Sequence, residues 1–195
     1  MHKTVPPFRA DTVGSLLRPA ALKAARASRL AGELSADGLR EVEDREIQKV
    51  IARQEEIGLE AVTDGEFRRS WWHFDFLEGL DGVEGYESIQ GIQFNGVQTK
   101  ARSVKVTGKL GFTSHPMIEH FKFLKANAKA MPKMTIPSPS LLHFRGGRNA
   151  IDKKIYPDME AFFDDLADAY RKVVHAFADA GCRYLQLDDT VWAYL

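Results

Sequence analysis

The sequence predicts an α/β fold in which a parallel sheet is wrapped by helices, and three observations predict it. Segments with helical apolar spacing alternate with short apolar runs of strand length, as expected when each strand feeds a crossover helix. The 195 residues are 44% hydrophobic and 28% charged, which is enough apolar material to bury a core. No internal repeat, low-complexity tract or linker divides the chain.

The first strand is expected near Phe8 to Thr12, followed by a turn at Val13-Gly14-Ser15 and a helix opened by Pro19 and running through Arg29. Ser35 is suited to cap the next helix, whose apolar face carries Leu39, Val42, Ile47, Val50, Ile51 and Ile57, and Gly58 to end it. Strand two follows at Glu60 to Thr63. Residues 81 to 115 break the alternation with Gly82, Gly85, Gly91 and Gly96 and two β-rich stretches, Ile89 to Phe94 and Ser103 to Thr107, which read as a hairpin insertion. A third strand is expected near Lys109 to Phe112, a helix from Pro116 to Ala130, and strand four at Lys133 to Ile136. The clearest helix covers 158 to 180, where Phe162, Phe163, Leu166, Tyr170, Val174 and Phe177 keep helical spacing and Gly181 follows as a stop. Strand five is Arg183 to Leu187. Five such units are part of a (β/α)8 barrel, which typically needs about 250 residues. The expectation is therefore a truncated chain, or a piece completed by other residues, with open edges at strands one and five that favour an oligomer or a complementing chain.

Lysine plus arginine and aspartate plus glutamate each total 27, so the net charge is zero and no global field draws in nucleic acid or an anionic membrane. A small, roughly neutral substrate suits this balance. The N-terminus has no apolar signal region, and no run approaches the roughly 20 apolar residues of a spanning helix, so a cytoplasmic location is expected. Cys182 is the only cysteine, which excludes an internal disulfide, a Cys-pair zinc site and a CxxC redox site within these residues.

In a parallel barrel the active site lies at the carboxyl ends of the strands, and the unusual residues of this chain fall there. They are Val13-Gly14-Ser15, then Asp64-Gly65-Glu66-Phe67-Arg68-Arg69, then Pro137-Ser138-Pro139-Ser140, and finally Asp188-Asp189-Thr190. Carboxylates gathered at one mouth repel unless a cation sits among them, which favours an amino-acid substrate held by its ammonium group. The Gly14 and Ser15 amides and the Ser15 hydroxyl would take its carboxylate. The alternative is that Asp64 and Asp188 only close turns or cap helices. Trp71, Trp72 and Phe74 would either stack on a flat ring or shield the core, and His143 to Arg148 is either a carboxylate clamp or a surface turn. Arg68 and Arg69 are expected to pair with neighbouring acids.

The stretches RADTVGSLLRP (9–19), VTDGEFRRSWW (62–72), IPSPS (136–140) and LQLDDTVWAYL (185–195) resemble, in this order, the cobalamin-independent methionine synthases, in particular their shorter single-barrel branch. The resemblance implies a TIM barrel of the uroporphyrinogen decarboxylase/methionine synthase type. Residues 1–195 would be the N-terminal part of one catalytic domain, with 81–108 as a hairpin insertion. It also implies methyl transfer from methyltetrahydrofolate to the thiol of homocysteine, giving methionine. A free thiol has a pKa of about 8.5, so zinc coordination is needed to present it as a thiolate, and the amine leaving group needs a proton. Carried over by motif, Gly14 and Ser15 match the loop that receives the amino-acid carboxylate, Glu66 the glutamate that contacts homocysteine or methionine, and Asp188 the aspartate that binds the amino group. Asp189 stands where the large synthases commonly have glutamate.

The family's zinc ligands are a histidine and cysteine close together, a glutamate and a distant cysteine, all beyond the fifth strand. His73, His115, His120, His143 and His175 have no cysteine at ligand spacing, so zinc is expected in the full-length family and no metal on this chain alone. Two alternatives stand beside this reading. One is a non-catalytic piece that binds an amino acid or a complementing chain. The other is a different reaction of the same barrel superfamily, such as uroporphyrinogen decarboxylation or methyl transfer to coenzyme M, although a decarboxylase needs basic walls where this mouth is acidic.

Overall fold

The computed structural model describes residues 11–87, 93–94, 97–98, 102–144 and 146–191, which form two compact units. Unit 1 takes residues up to Ser70, Ile118–Thr135 and Ala178–Gln186; unit 2 takes Trp71–Met117, Ile136–Phe177 and the residues from Leu187 on.

In unit 1, helix α1 (Ala20–Leu30) starts after Pro19 at φ −66°, an angle the proline ring sets in advance. Helix α2 (Ala36–Glu56) is capped by Ser35, whose hydroxyl accepts from the Gly38 amide at 3.0 Å, and the chain leaves it through Gly58 at φ +84°. Strand β1 (Ala61–Val62) pairs in parallel with β6 (Met131–Pro137), with Ala61 opposite Met131, and β7 (Tyr184–Asp188) is the other neighbour of β6. The core joins Leu22 of α1, Ile47 and Ile51 of α2, Val62 of β1, Phe67, and Leu124 of α4 (Pro116–Asn127). Burying a side chain of this size contributes about 1.5–3 kcal/mol, so this cluster fixes α1, α2 and α4 against the strands. Ile57, expected on the apolar face of α2, is 60% exposed, because the helix has already ended at Glu56.

In unit 2, the short helix α3 (Phe74–Leu77) leads to β2 (Asp81–Glu87), which pairs antiparallel with β5 (Arg102–Gly111). Gly82, at φ +80°, sits at the bulge between Asp81 and Val83, where a side chain would strike the backbone of Gly108 and Lys109. A second antiparallel pair joins β3 (Gln93–Phe94) to β4 (Val97–Gln98). Helix α5 (Met159–Asp179) buries Phe162, Leu166, Tyr170 and Val173 and exposes Phe163 and Val174.

One expectation needs correction. The strand placed near Lys109 to Phe112 does not take its own place in the parallel sheet. It is the end of β5, with Gly111 opposite Asp81 of β2, and β1 pairs directly with β6. The apolar run Val104, Val106, Leu110 reads equally well as one long strand, and the Gly82 bulge lets the pairing continue to its end. The first strand, placed at Phe8 to Thr12, lies largely outside the described residues. Among the described residues, no helix is long and apolar enough to cross a membrane.

Candidate functional site

The loop after β1 is built to hold one carboxylate. Gly65 and Glu66 both adopt left-handed backbone, at φ 66° and 58°, and Glu66 is the single non-glycine to do so among the described residues. This conformation is held from several sides. The Asp64 carboxylate accepts from the Glu66 amide at 2.8 Å, the Glu66 carbonyl accepts from the Arg69 amide at 3.0 Å, and the Arg18 guanidinium donates to that carbonyl at 3.0 Å. Arg26 adds bonds to the carbonyls of Phe67 at 2.7 Å and Arg69 at 2.9 Å. Strained backbone of this kind persists where the surroundings over-determine it, commonly at functional sites.

Thr63 joins this loop to the one at Gly14. Its hydroxyl donates to the Gly14 carbonyl at 2.7 Å and accepts from the Gly65 amide at 3.2 Å, and the Leu16 amide donates to the Gly65 carbonyl at 3.0 Å. Thr63 is itself held by Gln54, a buried residue of α2. The Gln54 side-chain amide donates to the Thr63 carbonyl at 2.8 Å and accepts from the Thr63 amide at 3.0 Å, as a neighbouring strand would. Gly14 is buried at φ +147°. A Cβ there would lie 2.8 Å from Thr135 Oγ1 and 3.4 Å from Glu66 Oε1, so only glycine brings the main chain this close to the carboxylate. Ser15, next along, is exposed.

Glu66 is 3% exposed, and its two carboxylate oxygens differ. Oε1 accepts from Thr135 Oγ1 at 3.0 Å and from Arg69 Nη1 at 3.3 Å. Oε2 is buried with no hydrogen-bond partner among the described residues. Below this cluster, Lys133 donates to the Asp11 carboxylate at 2.8 Å and to the Thr12 carbonyl, and Tyr184 donates to Asp11 at 2.6 Å. Partial burial raises the Asp11 pKa, but the bonds from Lys133 and Tyr184 outweigh it and leave the carboxyl below its ordinary value. The bond to Asp11, with burial second, pushes Tyr184 up to about 12.

Other sequence-selected residues lie in unit 2. The Asp188 carbonyl accepts from the Ser138 amide at 3.1 Å, and exposed Asp189 accepts from Ser140 Oγ at 3.0 Å, with the Ser138 and Ser140 hydroxyls 2.6 Å apart. Trp71 and Trp72 are half-buried. Trp71 meets Phe74 edge-on at 5.7 Å, while Trp72 tilts against His73 at 4.5 Å. Arg148 donates to the carbonyls of Ile151 at 3.0 Å and Tyr156, so it staples its own loop; Arg145 lies outside the described residues. His115 accepts from the Met117 amide through Nδ1, so its Nε2 is the nitrogen that donates to the Phe76 carbonyl at 3.0 Å. Arg68 and Arg69 pair with acids, Arg68 with Glu43 and Asp44, Arg69 with Glu66.

Sequence reasoning brought Gly14 and Glu66 forward and missed the residues that hold them: Gln54, Thr63, Thr135, Arg18 and Arg26. A signal existed for two of them. Gln54 falls three residues after Ile51 in the apolar stripe of α2, and Thr135 alternates with Lys133 on one face of β6. The arginines bond to backbone carbonyls, which leave no trace in the pattern.

Residues 8–194 match the family model described as cobalamin-independent synthase, catalytic domain. The uncharacterized protein YxjH of Bacillus subtilis strain 168 is 60% identical over 96% of this chain and 49% of its own length. A solved structure from Listeria monocytogenes, assigned as a vitamin-B12-independent methionine synthase, is 50% identical. It superposes with a TM-score of 0.84 over 98% of this chain and 54% of that one. A B12-independent methionine synthase from Shewanella sp. W3-18-1, solved with selenomethionine, matches at 19% identity and a TM-score of 0.63, covering 82% of this chain and 45% of that one, and so shows the fold alone. The chain spans about half the length of the first curated relatives it matches.

Proposed function

The chain belongs to the cobalamin-independent methionine synthase family, and on that premise we propose that the loops at Gly14 and Glu66 bind the amino-acid substrate of a methyl transfer. The reaction is transfer of the methyl group of a methyltetrahydrofolate to the sulfur of homocysteine. A carbon–sulfur bond forms as the carbon–nitrogen bond of the donor breaks, the thiol gives up its proton, and the departing amine takes one.

The observation that carries this reading is Glu66 Oε2, a buried carboxylate oxygen left open beside a saturated one. A buried acceptor without a donor costs about 1–3 kcal/mol, and more when charged, so the pocket is complementary to a ligand that brings a cationic N–H group. An α-ammonium is such a group. Gly14 gives the ligand close access to main chain, and exposed Ser15 offers a hydroxyl to its carboxylate. Motif carry-over matches Asp188 to the family's amino-group aspartate; Trp71 and Trp72 are aromatic candidates for the flat ring of the donor, and Asp189 stands where the large synthases commonly have glutamate. Zinc in this family supplies the thiolate. Among the described residues no three His, Cys, Asp or Glu side chains gather to hold a metal ion, and burial pushes the lone Cys182 thiol up. These residues do not make up a zinc donor set.

The test is calorimetric titration of the 195-residue protein with methionine and homocysteine. Glu66→Gln and Asp188→Asn are each expected to weaken methionine by about tenfold or more, the value of a hydrogen bond to a charged group. Absence of methionine binding to the wild type, or an unchanged Kd in Glu66→Gln, refutes the reading.

A further inference from the structure

Chemically the two oxygens of Glu66 are equivalent, so something must decide which one faces the ligand. Two donors converge on Oε1, the Thr135 hydroxyl at 3.0 Å and Arg69 Nη1 at 3.3 Å. The second arm of the same guanidinium donates to the Thr135 carbonyl at 2.6 Å and touches Met134 Sδ at 3.5 Å. Glu66, Arg69 and Thr135 therefore close a ring of hydrogen bonds anchored on β6. Arg69 is fixed at its other end too, because its carbonyl accepts from Arg18 at 3.2 Å and Arg26 at 2.9 Å. Its side chain is 3% exposed, so a guanidinium leaving Glu66 would give up these bonds with little water to replace them.

We propose that Arg69, acting with Thr135, is a positioning residue that sets the ligand preference of the site for molecules bearing an α-ammonium group. By saturating Oε1 it locks the carboxylate plane and leaves Oε2 as the one open acceptor. A planar, two-armed donor suits this task, since it spans the carboxylate and the strand carbonyl at once, which a lysine ammonium does not. The ring is preorganised, so the ligand's ammonium meets an acceptor already aimed and spends no binding energy on turning it. This inference rests on the assignment of Glu66 to the substrate ammonium.

The experiment compares Kd for methionine with Kd for desamino-methionine, which keeps the thioether and carboxylate and lacks the amine. Arg69→Met and Thr135→Val are expected to lower the preference for methionine by about tenfold, while desamino-methionine changes by about twofold or less. Thr135→Ser, which restores the hydroxyl, is expected to keep the wild-type preference. A merely structural role would weaken both ligands alike, so an unchanged ratio in Arg69→Met overturns the proposal. If circular dichroism shows that Arg69→Met does not fold, the Thr135→Val and Thr135→Ser pair decides by the same ratio. Glu66→Gln in the same series separates the two claims. Loss of the preference there with none in Arg69→Met refutes the role of Arg69 alone; retention there refutes the assignment of Glu66 itself.

Discussion

Glu66 follows strand β1 and Asp189 follows strand β7, and both carry a carboxylate in a short polar loop, yet the two are held in opposite ways. Glu66 is buried in strained backbone, with donors from a strand, from its own loop and from Arg18 just before α1 fixing it. Asp189 is exposed and accepts from the hydroxyl of Ser140, which lies two residues from Ser138. Burial turns weak individual bonds into a rigid arrangement, because each lost partner leaves a group that water cannot rescue. In solvent the same bonds exchange with water and contribute little.

The largest test of this contrast is Gln54→Leu. It removes both bonds to the Thr63 backbone and is expected to reduce stability by about 2–4 kcal/mol, read by urea unfolding. Gly14→Ala is expected to reduce stability by about 1–3 kcal/mol, because it forces a side chain into φ +147° and against Thr135; a shift in Tm reads it. The Asp11–Tyr184 pair lies between the extremes and acts through pH. The depressed Asp11 value means its contribution is present above the ordinary carboxylate range and lost as pH falls through the folded value. The Tyr184 contribution is present below the ordinary tyrosine value of about 10 and lost as pH rises towards about 12. Asp11→Asn is expected to flatten both arms of a stability–pH profile, and Tyr184→Phe chiefly the alkaline one. The smallest effect belongs to Ser140→Ala, within about 0.5 kcal/mol by urea unfolding, as expected of an exposed contact. A change as large as that of Gln54→Leu would erase the contrast.

The helices were legible because periodicity and caps speak locally. Ser35, Gly58 and Gly181 stand where the chain enters or leaves α2 and α5. The strand near Lys109 was misplaced because an apolar run fixes a strand without naming its partner, and the partner here is antiparallel β2. At the site, Gly14 and Glu66 could be found because each lies in a turn-rich motif. Arg69 could be read as an acid's partner, but its second arm could not, since a carbonyl 66 residues away in the chain carries no side-chain signature.

The grip of Gln54 on Thr63 has a kinetic meaning as well. The Thr63 amide finds its acceptor on α2, so its protection from hydrogen exchange follows the docking of that helix and not the opening of the sheet. Gln54 lies two residues from the end of α2 at Glu56, where fraying begins. Events that loosen the last turn of the helix therefore reach the loops at Gly14 and Gly65 through the Gln54 side chain, which ties the order of the site to the end of a helix that contributes no residue to it.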